Sequence, residues 1–242
     1  MVSPALPVEQ RPSPNHGPRT GGGRVDILLL HYTGMPSAEG ALAWLASPAS
    51  GVSSHYFVFE DGRVVQLVDE DRRAWHAGAS FWAGETDINS RSVGIEIANP
   101  GHNWGYRAFP GAQVDAVVRL CRAILSRHPI PAERVLAHSD VAPLRKEDPG
   151  ELFPWDRLHA AGVGHLVPPM PLGPSQGGTP AGNPQPRFRR YGYGLGEEGA
   201  FGEETAAVVR AFQRHFRPAL VDGVADASTV ATLDRLLAAL PP

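Results

Sequence analysis

Residues 113–149 read QVDAVVRLCRAILSRHPIPAERVLAHSDVAPLRKEDP. Two periodicities meet in this stretch. Val114, Val117, Val118, Cys121, Ile124 and Leu125 recur at helical spacing, which predicts an amphipathic helix over 113–128 with one apolar face. Pro129 and Pro131 stop it. Arg134–Ala137 is then a short apolar run, predicted as a strand, and it delivers His138 to a polar loop. That loop holds an imidazole, an ammonium and a carboxylate (His138, Lys146, Asp148) in a segment stiffened by Pro143 and Pro149. A helix that returns the chain to a strand, with chemistry at the strand's end, argues an α/β layer fold.

The neighbouring segments continue the alternation. Ser92–Ala98 (SVGIEIA) is a predicted strand with Val93, Ile95 and Ile97 on one face and Gly94, Glu96 and Ala98 on the other. Arg24–Leu30 (RVDILLL) is another, a short apolar run without helical spacing that ends at His31. Two β-rich runs, His55–Phe59 and Arg63–Val68, are joined across Asp61-Gly62. That dipeptide signals a hairpin because Gly tolerates the positive φ of a tight turn. Ser37 is placed to cap a short helix through Ser47, with Leu42 and Leu45 apolar. Residues 69–91 form a long irregular connection around Ala74-Trp75-His76-Ala77-Gly78, and long loops tend to carry function. A further helix is expected from Trp155 to Leu166.

Toward the ends the composition changes. Residues 1–23 are rich in Pro and Gly, and we expect a solvated, disordered arm there, with neither a secretory signal nor a membrane span. Residues 167–186 are dominated by Pro, Gly and Ser and read as a linker, reaching roughly 25 Å if flexible. Residues 187–242 read as a compact helical piece. Val208, Val209, Phe212 and Phe216 share one face of a helix over 203–216, and Val230, Leu233, Leu236, Leu237 and Leu240 one face of a helix over 226–240. Some 55 residues can just hold a core of their own.

The whole chain, 242 residues with a net charge of −3, is long enough for one sizeable core plus a small second domain. Nothing in the charge pattern points to nucleic acid or to an anionic membrane, and no transmembrane segment is expected. A single cysteine, Cys121, excludes an internal disulfide, and its place on the apolar helix face makes it a buried bystander.

Chemistry gathers at strand ends. If the strands ending in His31 and His138 are neighbours, both imidazoles emerge at one edge and can share an ion, with Asp148 returning from the loop. Two neutral imidazoles and one carboxylate make a catalytic rather than a structural zinc set, because a position remains for water. In an extended loop Lys146 and Asp148, two apart, point the same way, so the ammonium lies where a carbonyl oxygen turns anionic. Glu96, flanked on its own face by Gly94 and Ala98, has room for water and substrate and is the candidate base. His55 is open between a supporting and a core role, and Asp140 is read as support for the loop.

The joint pattern resembles a known family. Leu30-His31-Tyr32-Thr33, Ser54-His55-Tyr56, Asp61-Gly62, Ala74-Trp75-His76-Ala77-Gly78, Asn89, Gly94-Ile95-Glu96 and His138-Ser139-Asp140-x7-Asp148-Pro149-Gly150 are similar to the type 2 N-acetylmuramoyl-L-alanine amidases, and within them to the AmpD/AmiD branch. The resemblance covers 24–166 in the family's order and shows no departure at the five key positions. It implies one Zn²⁺ per chain on His31, His138 and Asp148, with Glu96 as catalytic acid/base and Lys146 stabilising the transition state. Trp75, His76 and Asn89 are the implied substrate-binding residues, Trp75 and His76 lining the groove for sugar or peptide and Asn89 fixing that loop. The implied architecture is α/β, a mixed central β-sheet flanked by helices, followed by a small all-α three-helix domain. The implied reaction is hydrolysis of the amide between N-acetylmuramic acid and L-alanine in peptidoglycan or muropeptides. Gly192-Tyr193-Gly194, Gly202-Glu203-Glu204-Thr205, Val209-x2-Phe212-Gln213, Asp222-Gly223 and Asp226-x2-Thr229 likewise resemble a three-helix peptidoglycan-binding domain, which would hold the catalytic domain at the polymer.

Two other readings compete. One is a muropeptide-recognition protein without turnover, against which all five positions count. The other is a non-haem iron oxygenase using His138-Ser139-Asp140 with His159 or His165, for which too few strands are in view. We expect a monomer. A polymer-binding domain favours the cell envelope (periplasm), while the missing signal leaves cytoplasm open.

Overall fold

A six-stranded mixed sheet runs through the computed structural model, which describes residues 6–173, 182–196 and 201–241. The strands in chain order are β1 (Val8–Gln10), β2 (His16–Pro18), β3 (Ile27–Tyr32), β4 (Tyr56–Val58), β5 (Val64–Gln66), β6 (Arg72–Ala74), β7 (Ser92–Ile97) and β8 (Val135–Ala137). The helices are α1 (Ala38–Leu45), α2 (Ile88–Arg91), α3 (Gly111–Arg127), α4 (His138–Val141), α5 (Trp155–Ala160), α6 (Gln185–Tyr191), α7 (Glu203–Phe216) and α8 (Ala227–Ala238). The sheet order is β1-β5-β4-β7-β3-β8, with β2 and β6 paired separately. Only the β4–β5 pair is antiparallel within the large sheet. Its turn is the predicted hairpin: Gly62, at φ 88°, donates its N–H to Phe59 O at 3.0 Å.

Side-chain alternation decides what each face meets. Leu28, Leu30, Val93, Ile95, Ile97 and Val135 face one layer, formed by Val114, Val117, Cys121 and Ile124 of α3 and Leu158 of α5. On the opposite face, Phe57 and Val65 pack against Leu42 and Leu45 of α1. Ile27, Leu29 and Leu136 of that same face join Phe188, Phe212 and Phe216 of the C-terminal helices in one buried cluster. His31 and Glu96 project from this second face, where alternation carries them past Leu29 and Gly94.

Several expectations need correction. Residues 6–23 are not a disordered arm. β1 adds a parallel edge strand to β5, and β2 pairs with β6. Ser13 and Asn15 are buried, and Ser13 Oγ donates to Leu45 O at 2.6 Å. Polar, Pro-rich sequence has no core to bury, but here its backbone and small side chains complete hydrogen bonds that distant strands offer.

Residues 167–173 are not a free tether either. Met170 N–H donates to Thr232 Oγ1 at 2.9 Å, and Ser228 Oγ donates to Met170 O at 2.5 Å, so the segment runs along α8. The rest of the expected linker includes 174–181, which lie outside the described residues, as do 1–5 of the expected arm. The C-terminal helices share their core with the sheet rather than holding one alone. Helix α5 ends at Ala160, short of Leu166, because Gly162 and Gly164 take positive φ directly after it. His138 opens a helical turn instead of an extended loop: Ala142 N–H closes onto His138 O at 3.0 Å.

Candidate metal centre and active site

Parallel pairing brings the two histidines together. Ala137, the last residue of β8, is the register partner of Leu30, one residue before His31. His138 follows immediately. Asp148 is drawn back to this edge by its own carbonyl, which accepts the Ser139 N–H at 3.0 Å. The result is a buried triangle: His31 Nδ1 to His138 Nδ1 2.8 Å, His138 Nδ1 to Asp148 Oδ2 3.0 Å, and His31 Nδ1 to Asp148 Oδ2 3.2 Å. Among the described residues this is the group of three whose ligand atoms converge closely enough for a metal ion.

Hydrogen bonds behind the triangle set the tautomers. Ser92 Oγ donates to Ile88 O at 2.6 Å, so toward His76 Nε2, 3.2 Å away, it can only accept. His76 therefore carries its proton on Nε2 and offers Nδ1 as acceptor to His31 Nε2 at 3.0 Å. That leaves His31 Nδ1 with a lone pair facing the triangle. His138 reaches the same state more directly, because its Nε2–H donates to Ala77 O at 3.1 Å. Two imidazole lone pairs and a carboxylate oxygen then converge with no proton between them, an arrangement that fits a divalent cation of zinc type. Burial, with His138 adding to it, pushes His31 down to about 4, so its neutral form dominates at neutral pH. Burial alone would raise the Asp148 carboxyl; positive charge and donors at the histidine positions would outweigh it and lower it, and with both imidazoles neutral that part falls to a bound cation.

Glu96 stands beside this triangle as the register partner of His31. Its Oε2 is shut off from solvent and has no hydrogen-bond partner among the described residues. Burial, reinforced by the Asp148 charge, raises its pKa well above the ordinary carboxylate range, and Lys146 opposes the shift. A bound cation would oppose it too. Glu96, Lys146 and Asp148 share a groove of about 410 Å³ with Trp44 of α1 and with Trp75.

The remaining predicted residues separate here. Trp75 lies on the groove wall. His76 also touches the groove, but it is nearly buried and its bonds run to His31 and Ser92, so its principal contact is with a candidate ligand, not a substrate. Asn89 is buried away from the groove lining. Its Oδ1 accepts the N–H groups of His76 at 3.0 Å and Ala77 at 2.8 Å, which fixes the loop that carries them. Gly94 does not leave space for substrate: a Cβ there would lie 2.6 Å from His76 Nδ1, so the glycine makes room for the imidazole. His55 is fully buried and accepts the Gly94 N–H through Nδ1 at 2.9 Å, a supporting role. The iron reading fails on geometry. Asp140 is engaged by Tyr193 and His215, His165 faces Tyr191, and His159 faces Gly164 O.

Sequence reasoning missed Ser92 and Trp44. Nothing local marks Ser92. Trp44 carried a signal, since an aromatic set off the Leu42–Leu45 face of a short helix has no core to enter, and it is 47 % exposed.

Residues 21–151, more than half of the chain, match the family described as N-acetylmuramoyl-L-alanine amidase. The chain belongs to the N-acetylmuramoyl-L-alanine amidase family. Residues 184–233 of this amidase match a second family, described as a peptidoglycan binding domain. The amidase is 37 % identical over 232 residues to the N-acetylmuramoyl-L-alanine amidase AmiD of Escherichia coli K12, covering 88 % of this chain and 83 % of that one. It is 33 % identical over 166 residues to the 1,6-anhydro-N-acetylmuramyl-L-alanine amidase AmpD of Enterobacter cloacae, covering 62 % of this chain and 87 % of that one. Among solved structures, the E. coli AmiD complex with anhydro-N-acetylmuramic acid-L-Ala-D-γ-Glu-L-Lys superposes with a TM-score of 0.76 at 36 % identity, over 89 % of each chain. AmpDh3 of Pseudomonas aeruginosa does so with a TM-score of 0.78 at 32 % identity, over 90 % of this chain and 93 % of that one. The amidase is therefore a hydrolase of the bond between N-acetylmuramic acid and L-alanine, and its mixed sheet with C-terminal helices is the architecture of those relatives.

Proposed function

We propose that this amidase is a zinc enzyme that cleaves the lactyl–L-alanine amide of anhydro-muropeptides, with His31, His138 and Asp148 as ligands. The observation that carries the reading is the tautomer-fixed triangle, in which two Nδ1 lone pairs and Asp148 Oδ2 face one point. A zinc ion held there would supply Lewis acidity to a water molecule and to the scissile carbonyl. Glu96 takes a proton from the water as its oxygen bonds to the carbonyl carbon. Lys146, on the groove wall, stabilises the oxygen that becomes anionic. Glu96 then returns the proton to the departing nitrogen as the C–N bond breaks, leaving a lactyl carboxylate and the free α-amine of L-alanine. Trp75 and Trp44 offer apolar walls for sugar or peptide.

The substrate class is supported by the two relatives whose solved complexes hold anhydromuramoyl peptides. A peptidoglycan-binding family match favours the cell envelope as the place of action. No helix among the described residues is long and apolar enough to cross a membrane. The test is direct: measure zinc per chain, then follow release of free peptide from an anhydromuramoyl tripeptide with and without chelator. One zinc and chelator-sensitive release are expected. Bound zinc with no product would instead support a recognition protein without turnover.

A further inference from the structure

The turn that carries His138 is held from the far end of the chain. Asp140 is fully buried two residues after His138. Its Oδ2 accepts the Ala137 N–H at 2.8 Å and the His215 Nδ1–H at 2.7 Å, and its Oδ1 accepts the Tyr193 hydroxyl at 2.7 Å. A carboxylate so deeply buried is tolerated only while donors surround it. Two of its three donors come from the C-terminal helical segment. His215 is itself locked, stacked between Trp155 at 3.7 Å and Phe216 at 3.8 Å between ring centroids.

The residue before His215 reaches the other end of the same segment. Arg214 Nη2 donates to Glu147 Oε1 at 2.7 Å, and its Nε lies 3.7 Å from Glu151 Oε2. These acidic residues flank Asp148 in sequence. Glu147 is half-exposed, so this ion pair is the weaker of the two holds.

We propose that Arg214 and His215, consecutive residues of α7, are positioning residues for the metal centre: His215 with Tyr193 holds the turn that presents His138, and Arg214 holds the return that presents Asp148. The proposal rests on His31, His138 and Asp148 being the metal ligands. The segment matched as a peptidoglycan-binding domain thereby also forms part of the catalytic apparatus. Its removal from the sheet would loosen two ligands at once, not merely free a tether.

The full chain tests this with His215→Phe, which keeps a ring between Trp155 and Phe216 but removes the donor, and His215→Asn, which restores a donor near the Nδ1 position. Zinc affinity is read by competition with a chromophoric chelator, and kcat and KM separately on an anhydromuramoyl tripeptide. A partner bonded directly to a metal ligand is worth about 10- to 100-fold in metal affinity or activity; His215 acts one bond further out, through Asp140 and the Ala137 backbone, so a loss of several-fold to about tenfold is expected. H215F is expected to show that loss in affinity and kcat with KM little changed, and H215N to recover most of it. Wild-type affinity and kcat in a folded H215F, even with lowered thermal stability, would mark a purely structural contact and overturn the proposal. If H215F does not fold, Tyr193→Phe and Arg214→Gln take its place, each expected to weaken zinc several-fold, with wild-type affinity in both overturning it. Asp148→Ala, run in parallel, separates the two levels. A D148A protein that binds zinc normally removes the ligand assignment itself, whereas loss in D148A without loss in H215F removes only the positioning role.

Discussion

His31 and Glu96 are direct register partners across the parallel strands β3 and β7, so an imidazole of the buried His-His-Asp triangle and the candidate base leave the sheet side by side. Backbone hydrogen bonds of two central strands hold their separation, and no loop movement can change it. The Glu96→Gln variant preserves shape and removes the proton acceptor. Its zinc content should match the parent, while peptide release should fall by about two orders of magnitude or more. Near-parental turnover in E96Q would assign the base elsewhere.

Gly94→Ala tests the chain of hydrogen bonds behind His31. The added Cβ would lie 2.6 Å from His76 Nδ1 in a site already filled, so the imidazole must move. Overpacking of this kind costs about 1–3 kcal/mol, and loss of the His76 acceptor should weaken zinc by about tenfold or more. Urea unfolding and chelator competition measure the two effects. Unchanged zinc affinity in a destabilised G94A would show that His76 does not hold His31 in its ligand form.

Far from the groove, Glu70 sets an acid limit on stability. Burial would raise its carboxyl, but hydrogen bonds from Arg127, Tyr56 and His128 outweigh that and lower it from 4.5 to about 2. A carboxyl depressed in the folded state stabilises above its unfolded pKa and loses that contribution as pH falls through its folded one. The stability difference between the parent and Glu70→Gln should therefore be full above pH 4.5 and shrink steadily toward pH 2. Unfolding curves across that range decide the matter, and parallel curves would exclude Glu70 as the linked group.

Asn15→Ala tests the N-terminal segment. Asn15 Nδ2 lies 2.8 Å from Ser47 O and 2.9 Å from Val52 O, tying β2 to the connection that lines the groove beside Trp75. Ser50 also donates to both carbonyls, so the variant loses the Asn15 bonds without orphaning an acceptor and should cost about 0.5–1.5 kcal/mol in urea unfolding. A cost near zero would mean that the segment behaves as a solvated tail.

What could be read along the chain was whatever its own neighbours specify. Ser37 caps α1 by accepting the Gly40 N–H at 3.1 Å, a local contact signalled by residue type. The spacing of Val114, Val117, Cys121 and Ile124 marked the buried face of α3, and the face shared by Val208, Phe212 and Phe216 marked that of α7. Strand alternation separated Glu96 from Ile95 and Ile97. The histidines and carboxylates of the candidate site were legible because their types and order resemble a family pattern.

His76 shows where that reading stops. Its sequence context says only that an imidazole sits in a loop beside a tryptophan. Whether it meets a sugar or a second imidazole depends on Gly94, Ser92 and His31, brought together by pairing between strands. Residues 6–23 depart from the expected disordered arm for the same reason. Polar, Pro-rich composition predicts disorder when judged against water, but β5 and β6 offered unpaired backbone edges that composition cannot register.

The sequence by itself determined the kinds of element, their order and the residue types available for chemistry, because helical and strand periodicity and turn chemistry are properties of neighbouring residues. Only the tertiary structure decided which nitrogen of each histidine faces the buried His-His-Asp triangle, which edge the N-terminal strand completes, and that Arg214 and His215 reach the turn of His138 and the return of Asp148. Those outcomes depend on hydrogen-bond partners dozens of residues away, and such partners become neighbours only when the sheet and the C-terminal helices bury a common core.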